Sequence, residues 1–150
     1  MDIQNLINEN LIIMNLESDN KEEAFKEIID VLAEESKISS KDVFFETILS
    51  REEEGPTGLG RGIAIPHGKS KVVSELTLSF ARSRDGIEYN SIDQKPVQLF
   101  FMVADYEGFS PDYLKMVSKL VSKMRDDKNR KALLKAESKT EVLEIIYKLF

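Results

Sequence analysis

Val97-Gln98-Leu99-Phe100-Phe101-Met102-Val103-Ala104 is the stretch that decides the fold. A strand with one wet face alternates apolar and polar residues, whereas this run is apolar at nearly every position, so it reads as a central strand covered on both sides. Upstream, Leu76 to Arg82 alternates and reads as a strand with one apolar face, and Ile63-Ala64-Ile65 is a short apolar strand ended by Pro66. Asp85-Gly86 and Asp93-Gln94-Lys95-Pro96 are turn chemistry. The apolar run from Leu11 to Leu16 fits either a strand or a tucked arm.

Helices to cover such a sheet flank the strands on both sides. Asn20 with Glu23 forms a capping box ahead of Phe25, Ile28, Ile29 and Leu32, predicting a helix from about Lys21 to Glu35. Ser39 with Asp42 opens a second, buried through Phe44, Phe45, Ile48 and Leu49, that ends near Glu53 before Gly55-Pro56. Ser110 as N-cap and Pro111 at the first helical position start a third, whose apolar stripe is Tyr113, Met116, Val117, Leu120, Val121 and Met124. A short helix from about Lys128 to Ala136 and a last one capped by Ser138 and Glu141 complete the chain. These elements predict an α/β fold, a mixed β-sheet sandwiched between helices in three layers (αβα), as a single domain over residues 1–150. Strand order is not legible from the pattern.

Composition narrows the chemistry. The absence of cysteine removes disulfides, thiolate zinc sites and cysteine nucleophiles, and agrees with a cytoplasmic location. The amino terminus lacks a basic start and an apolar run, and the longest apolar run, Leu99 to Ala104, falls far short of the ~20 residues that span a membrane, so no direct membrane insertion is expected. A net charge of -6 argues against nucleic acid as a partner. Arg61, Lys69, Lys71, Arg82 and Arg84 nevertheless gather in the middle of the chain, either as a solvated rim or as a cationic surface for an acidic partner or a phosphoryl group.

Ser50 to Lys71, SREEEGPTGLGRGIAIPHGKSK, holds five of the seven glycines and the only histidine, His67. Pro66 and Gly68 set that histidine between one stiff and one uncrowded neighbour, at a strand end. Neutral imidazole is an uncharged nitrogen nucleophile near neutral pH, provided its other nitrogen donates a hydrogen bond that fixes the tautomer. Arg51 lies seven residues after Phe44 and three after Ile48, on the inward face at a helix end, where it either complements the helix dipole or faces the site. With one histidine and no paired-histidine spacing, a metal site is not expected, and Gly62 precedes Gly68-Lys69-Ser70 by one residue too many for a phosphate-binding P-loop.

Glu52, six residues, Leu59-Gly60, two residues and Ile63-Ala64-Ile65-Pro66-His67-Gly68 together resemble the phosphohistidine signature of fructose/mannitol-type (type 2) IIA domains of the bacterial sugar phosphotransferase system. The run TGLGRGIAIPHGK resembles the nitrogen-regulatory branch of that family, and both branches stay open. The resemblance extends over nearly the whole chain. It implies a phosphotransferase component without cofactor: a phosphoryl carrier that takes the group on His67 from HPr, or a paralogue, and passes it to a IIB domain. The alternative it implies is a regulatory module whose phosphorylation state controls partner proteins. By the same resemblance Arg51 faces the phosphate, and Gly58, Leu59, Gly60, Gly68 and Lys69 line the docking surface. One departure stands out. Where the family carries a second histidine at the start of the helix after the central strand, this chain has Tyr113, which is either an ordinary core aromatic or a member of the site.

Overall fold

The computed structural model describes residues 1–150. Its sheet is built outward from β6 (Val97–Asp105). On one side lies β5 (Thr77–Ile87), antiparallel, with β1 (Ile12–Ile13) parallel to it at the edge. On the other side β3 (Ile63–Ala64) and β4 (His67–Lys69) both run parallel to β6, and β2 (Gly58–Gly60) pairs antiparallel with β3. The remaining elements are α1 (Lys21–Glu34), α2 (Lys41–Glu53), α3 (Pro111–Met124), α4 (Asp127–Lys135) and α5 (Lys139–Leu149), with 3-10 turns at Ile3–Asn5 and Glu9–Leu11. None is long and apolar enough to cross a membrane.

β6 is central because both of its faces are apolar. Phe100 belongs to one face, where its ring meets Tyr89 and, through it, Phe25 of α1; Phe101, on the other, meets Phe80. Successive strand residues point to opposite faces. The same alternation sorts α2 from α3: Gly68 backs onto Thr47 of α2, while the ring of its neighbour His67 faces Tyr113 of α3. The three-layer mixed sheet is the result.

Several details differ from the sequence pattern. β5 does not stop at Asp85-Gly86 but runs through it to Ile87, absorbing a register shift after Arg82, with Gly86 at φ 82° and its N–H bonded to Ser83 Oγ. The polar alternates of β5 are buried rather than wet. Ser79 Oγ donates to Leu11 O at 2.8 Å, so the amino-terminal arm supplies the partner that water would otherwise give. The cap of α2 is Ser40, not Ser39, since Ser40 Oγ accepts from Val43 N–H, and Ser110 opens α3 without a side-chain cap. Arg82 of β5 donates to the carbonyls of Met14, in the amino-terminal arm, and of Leu133, Leu134 and Ala136, which the end of α4 leaves orphaned.

Candidate active site around His67

Residues 62–69 run beside β6 in a single register, from Ile63 opposite Leu99 to His67 opposite Val103. Val103 N–H bonds to Pro66 O at 3.0 Å, and Ile65 N–H turns the other way to Thr57 O at 3.1 Å. Pro66 has no N–H to offer, which interrupts the ladder and separates β3 from β4 without moving the register. β4 has no strand on its outer edge, so His67 stands where the sheet is open.

His67 Nδ1 lies 2.7 Å from Ile65 O. A carbonyl only accepts, so Nδ1 carries the proton and Nε2 is left with a bare lone pair. Burial lowers the pKa of the ring from 6.5, overcoming the Ile65 bond that raises it, and Arg51 lowers it further while Glu52 opposes. The imidazole is therefore neutral and aimed, the state a nitrogen nucleophile needs.

His67 lines a cleft of about 750 Å³ between α2 and α3, in which His67, Gly68 and Lys69 of β4 meet Arg51 of α2 and Tyr113 of α3. Arg51 is braced by its Nη1 bond to Gly55 O at 2.9 Å, and its charge bears on both His67 and Tyr113. The Tyr113 ring is 6.0 Å from that of His67, and burial pushes its hydroxyl up to about 12, Arg51 acting against that rise and Asp105 with it. The phenol is an uncharged donor at neutral pH. Lys69 Nζ donates to Gly108 O and lies 5.6 Å from the centre of the Tyr113 ring.

Gly68 is glycine for want of space. A Cβ there would stand 2.8 Å from Thr47 Cγ2 and 3.5 Å from Ile48 Cδ1. Gly68→Ala is expected to push α2, and Arg51 with it, off the strand, at a cost of about 1–3 kcal/mol read as a lower denaturation midpoint at unchanged m-value.

Gly58, Leu59 and Gly60 are not brought to the cleft. They form β2, on the far side of β3; Gly58 packs so closely that a Cβ would overlap Ser91 Oγ, and Leu59 and Gly60 line a separate hollow of about 340 Å³ with Ile92 and Arg125. Glu52 also turns away from the cleft. Its buried carboxylate accepts from Thr57 N–H at 3.0 Å, from the Thr57 hydroxyl and from Tyr89 Oη at 3.1 Å, and pairs with Lys21 Nζ at 2.8 Å. This network fastens the glycine-rich loop to the helix end that carries Arg51. Nothing in the local sequence announces Lys21 or Tyr89 as its members.

Residues 5–149 match the family described as "Phosphoenolpyruvate-dependent sugar phosphotransferase system, EIIA 2". The chain is 38% identical over 97% of its length to the PTS system fructose-specific EIIABC component of Bacillus subtilis, of which it spans 23%. The crystal structure of nitrogen regulatory protein IIA-Ntr from Neisseria meningitidis superposes with a TM-score of 0.90 at 33% identity, covering 96% of this chain and 98% of that one. The IIA-mannitol chain solved in complex with phosphorylated IIB-mannitol from Escherichia coli shares the fold, with a TM-score of 0.80 at 21% identity, covering 95% and 97%. Matched by the family over residues 5–149 and alike in fold to IIA-Ntr, the chain belongs to the EIIA 2 family of the phosphoenolpyruvate-dependent sugar phosphotransferase system.

Proposed function

We propose that residues 1–150 act as one domain, a phosphoryl carrier in the cytoplasm that accepts the group on His67 Nε2 from HPr or a paralogue and gives it to a IIB domain. The observation that carries this is the Ile65 carbonyl, which fixes the proton on Nδ1 and leaves Nε2 free beside Arg51. In the exchange the bond from phosphorus to the donor nitrogen breaks as the bond to Nε2 forms, and the donor imidazole keeps its lone pair. Positive charge then grows on the His67 ring, where the Nδ1–H bond to Ile65 O stabilises it. Such transfer asks chiefly for in-line placement and for charge on the equatorial oxygens, the part given to Arg51. Phe109, 87% exposed, and Leu114, 68% exposed, offer apolar surface beside the cleft for a brief encounter.

Incubation with Enzyme I, HPr and labelled phosphoenolpyruvate tests the proposal: label on His67 that moves on to a IIB domain supports it, and no label sinks it. The likeness to IIA-Ntr favours a second reading, in which the phosphorylation state itself is the output. Label that is accepted and not passed on selects that reading.

Tyr113 takes the place of a second histidine in this scheme. A neutral donor gives ~0.5–1.5 kcal/mol where a charged one gives ~1.5–3, so Tyr113→His is expected to speed acceptance about tenfold, most clearly below neutral pH. Tyr113→Phe is expected to slow it. Equal single-turnover rates for all three proteins across that range would make Tyr113 core packing alone.

A further inference from the structure

Asp105 ends β6 with a carboxylate for which the carrier scheme has no use. The residue is wholly buried; Oδ1 accepts the Tyr106 N–H at 2.8 Å, while Oδ2 has no partner and the side chain joins no ion pair. An uncompensated buried charge is costly to the fold, which makes its position informative.

Register gives that position. In the parallel pair β4 and β6, His67 lies beside Val103 and Lys69 beside Asp105. Two residues along a strand and one strand across place the Asp105 and His67 Cα atoms about 8 Å apart, with both side chains on the face covered by α3. Lys69 is the cation that register would pair with Asp105. Its ammonium is instead drawn to Gly108 O and the Tyr113 ring, so no cation answers the Asp105 carboxylate, whose charge reaches the site at Tyr113.

We propose that Asp105 sets how tightly the site holds its phosphoryl group: its charge opposes the phosphoryl charge on His67 Nε2, keeping the group weakly enough bound to be passed on. The inference rests on the carrier reading of His67. A phosphoryl group brings a charge of about -1.5 to -2. Arg51 and Lys69 attract it and Asp105 repels it, while Tyr113, uncharged, stands among them. Asp105 gains and loses no atom in the transfer; it acts only on the balance between the phosphorus-nitrogen bond of the donor and that of His67.

Asp105→Asn removes the charge and keeps the acceptor for Tyr106 N–H. The equilibrium constant for exchange with phosphorylated HPr is expected to shift about tenfold towards phosphorylated His67, the size of a like-charge repulsion partly screened by the open cleft. A second measurement needs no phosphate. The Tyr113 phenol, followed by carbon-13 NMR of the labelled ring, should titrate lower in Asp105→Asn than in the parent, where it lies at about 12. Asp105→Ser carries the same two expectations should the asparagine fail to fold. An unchanged exchange constant in a chain that does take the label overturns the proposal and leaves the carrier reading standing. If neither protein takes the label, the carrier reading fails, and the proposal about phosphoryl affinity falls with it whatever the phenol does.

Discussion

Replacing His67 with alanine is expected to abolish phosphorylation of the chain while changing its folding free energy by less than about 1 kcal/mol. The loss is total because no other histidine exists to take the group. The small change in stability follows from a half-buried ring whose one hydrogen bond goes to a backbone carbonyl. Label that survives in His67→Ala with the acid lability of phosphohistidine would remove His67 from the role. The sign of the pH dependence is fixed as well. The folded ring titrates below its unfolded value of 6.5, so the unfolded chain binds the proton first as pH falls. His67 therefore contributes stability that is complete above 6.5 and is lost as pH drops through the lowered value, a slope His67→Ala should lack. Acceptance of the phosphoryl group should likewise persist down to 6.5 and fail only below it, and the nitrogen-15 signals of this single ring report the midpoint directly.

Arg51→Lys is expected to slow phosphoryl transfer about 100-fold, and Arg51→Ala about 1000-fold, with stability changed far less than rate. A lysine keeps the charge but loses the planar fork, and it cannot both hold Gly55 O and present two further donors to phosphate oxygens. The charge alone should still help to depress the His67 pKa. Arg51→Lys should thus retain much of the lowered midpoint and Arg51→Ala less, which separates the electrostatic part of the effect from the geometric one. Transfer rates equal to the parent's in both variants would return Arg51 to the role of a helix-end cation.

Much of this is legible in the sequence. β6 announces itself because a strand buried on both faces cannot alternate, and α1 and α5 begin where Asn20 and Ser138 accept from the amides three residues on. Other features depend on long-range partners. Asp85-Gly86 has the chemistry of a turn, but a glycine at positive φ serves equally as a bulge, and only pairing across to Val97 decides between them. Gly58, Leu59 and Gly60 sit near His67 in sequence and away from its cleft in space, because β2 folds back along β3. His67-Gly68-Lys69 has little intrinsic preference for a strand and becomes one through its ladder to β6. Tyr89 reaches Glu52 from 37 residues away, and Asp105 looks like an ordinary strand end until its neighbours are known.

The unbroken register from Ile63 to Lys69 along β6 has a consequence for timing. His67 rides on the same rail as the innermost strand, so its position is settled when the chain folds, and the conformational entropy of ordering it is lost then and not at each encounter. A relay visited by a donor and then by an acceptor gains twice from this. Neither visitor has to wait for a loop to close over the imidazole, and the lifetime of each complex can be as short as the chemistry permits.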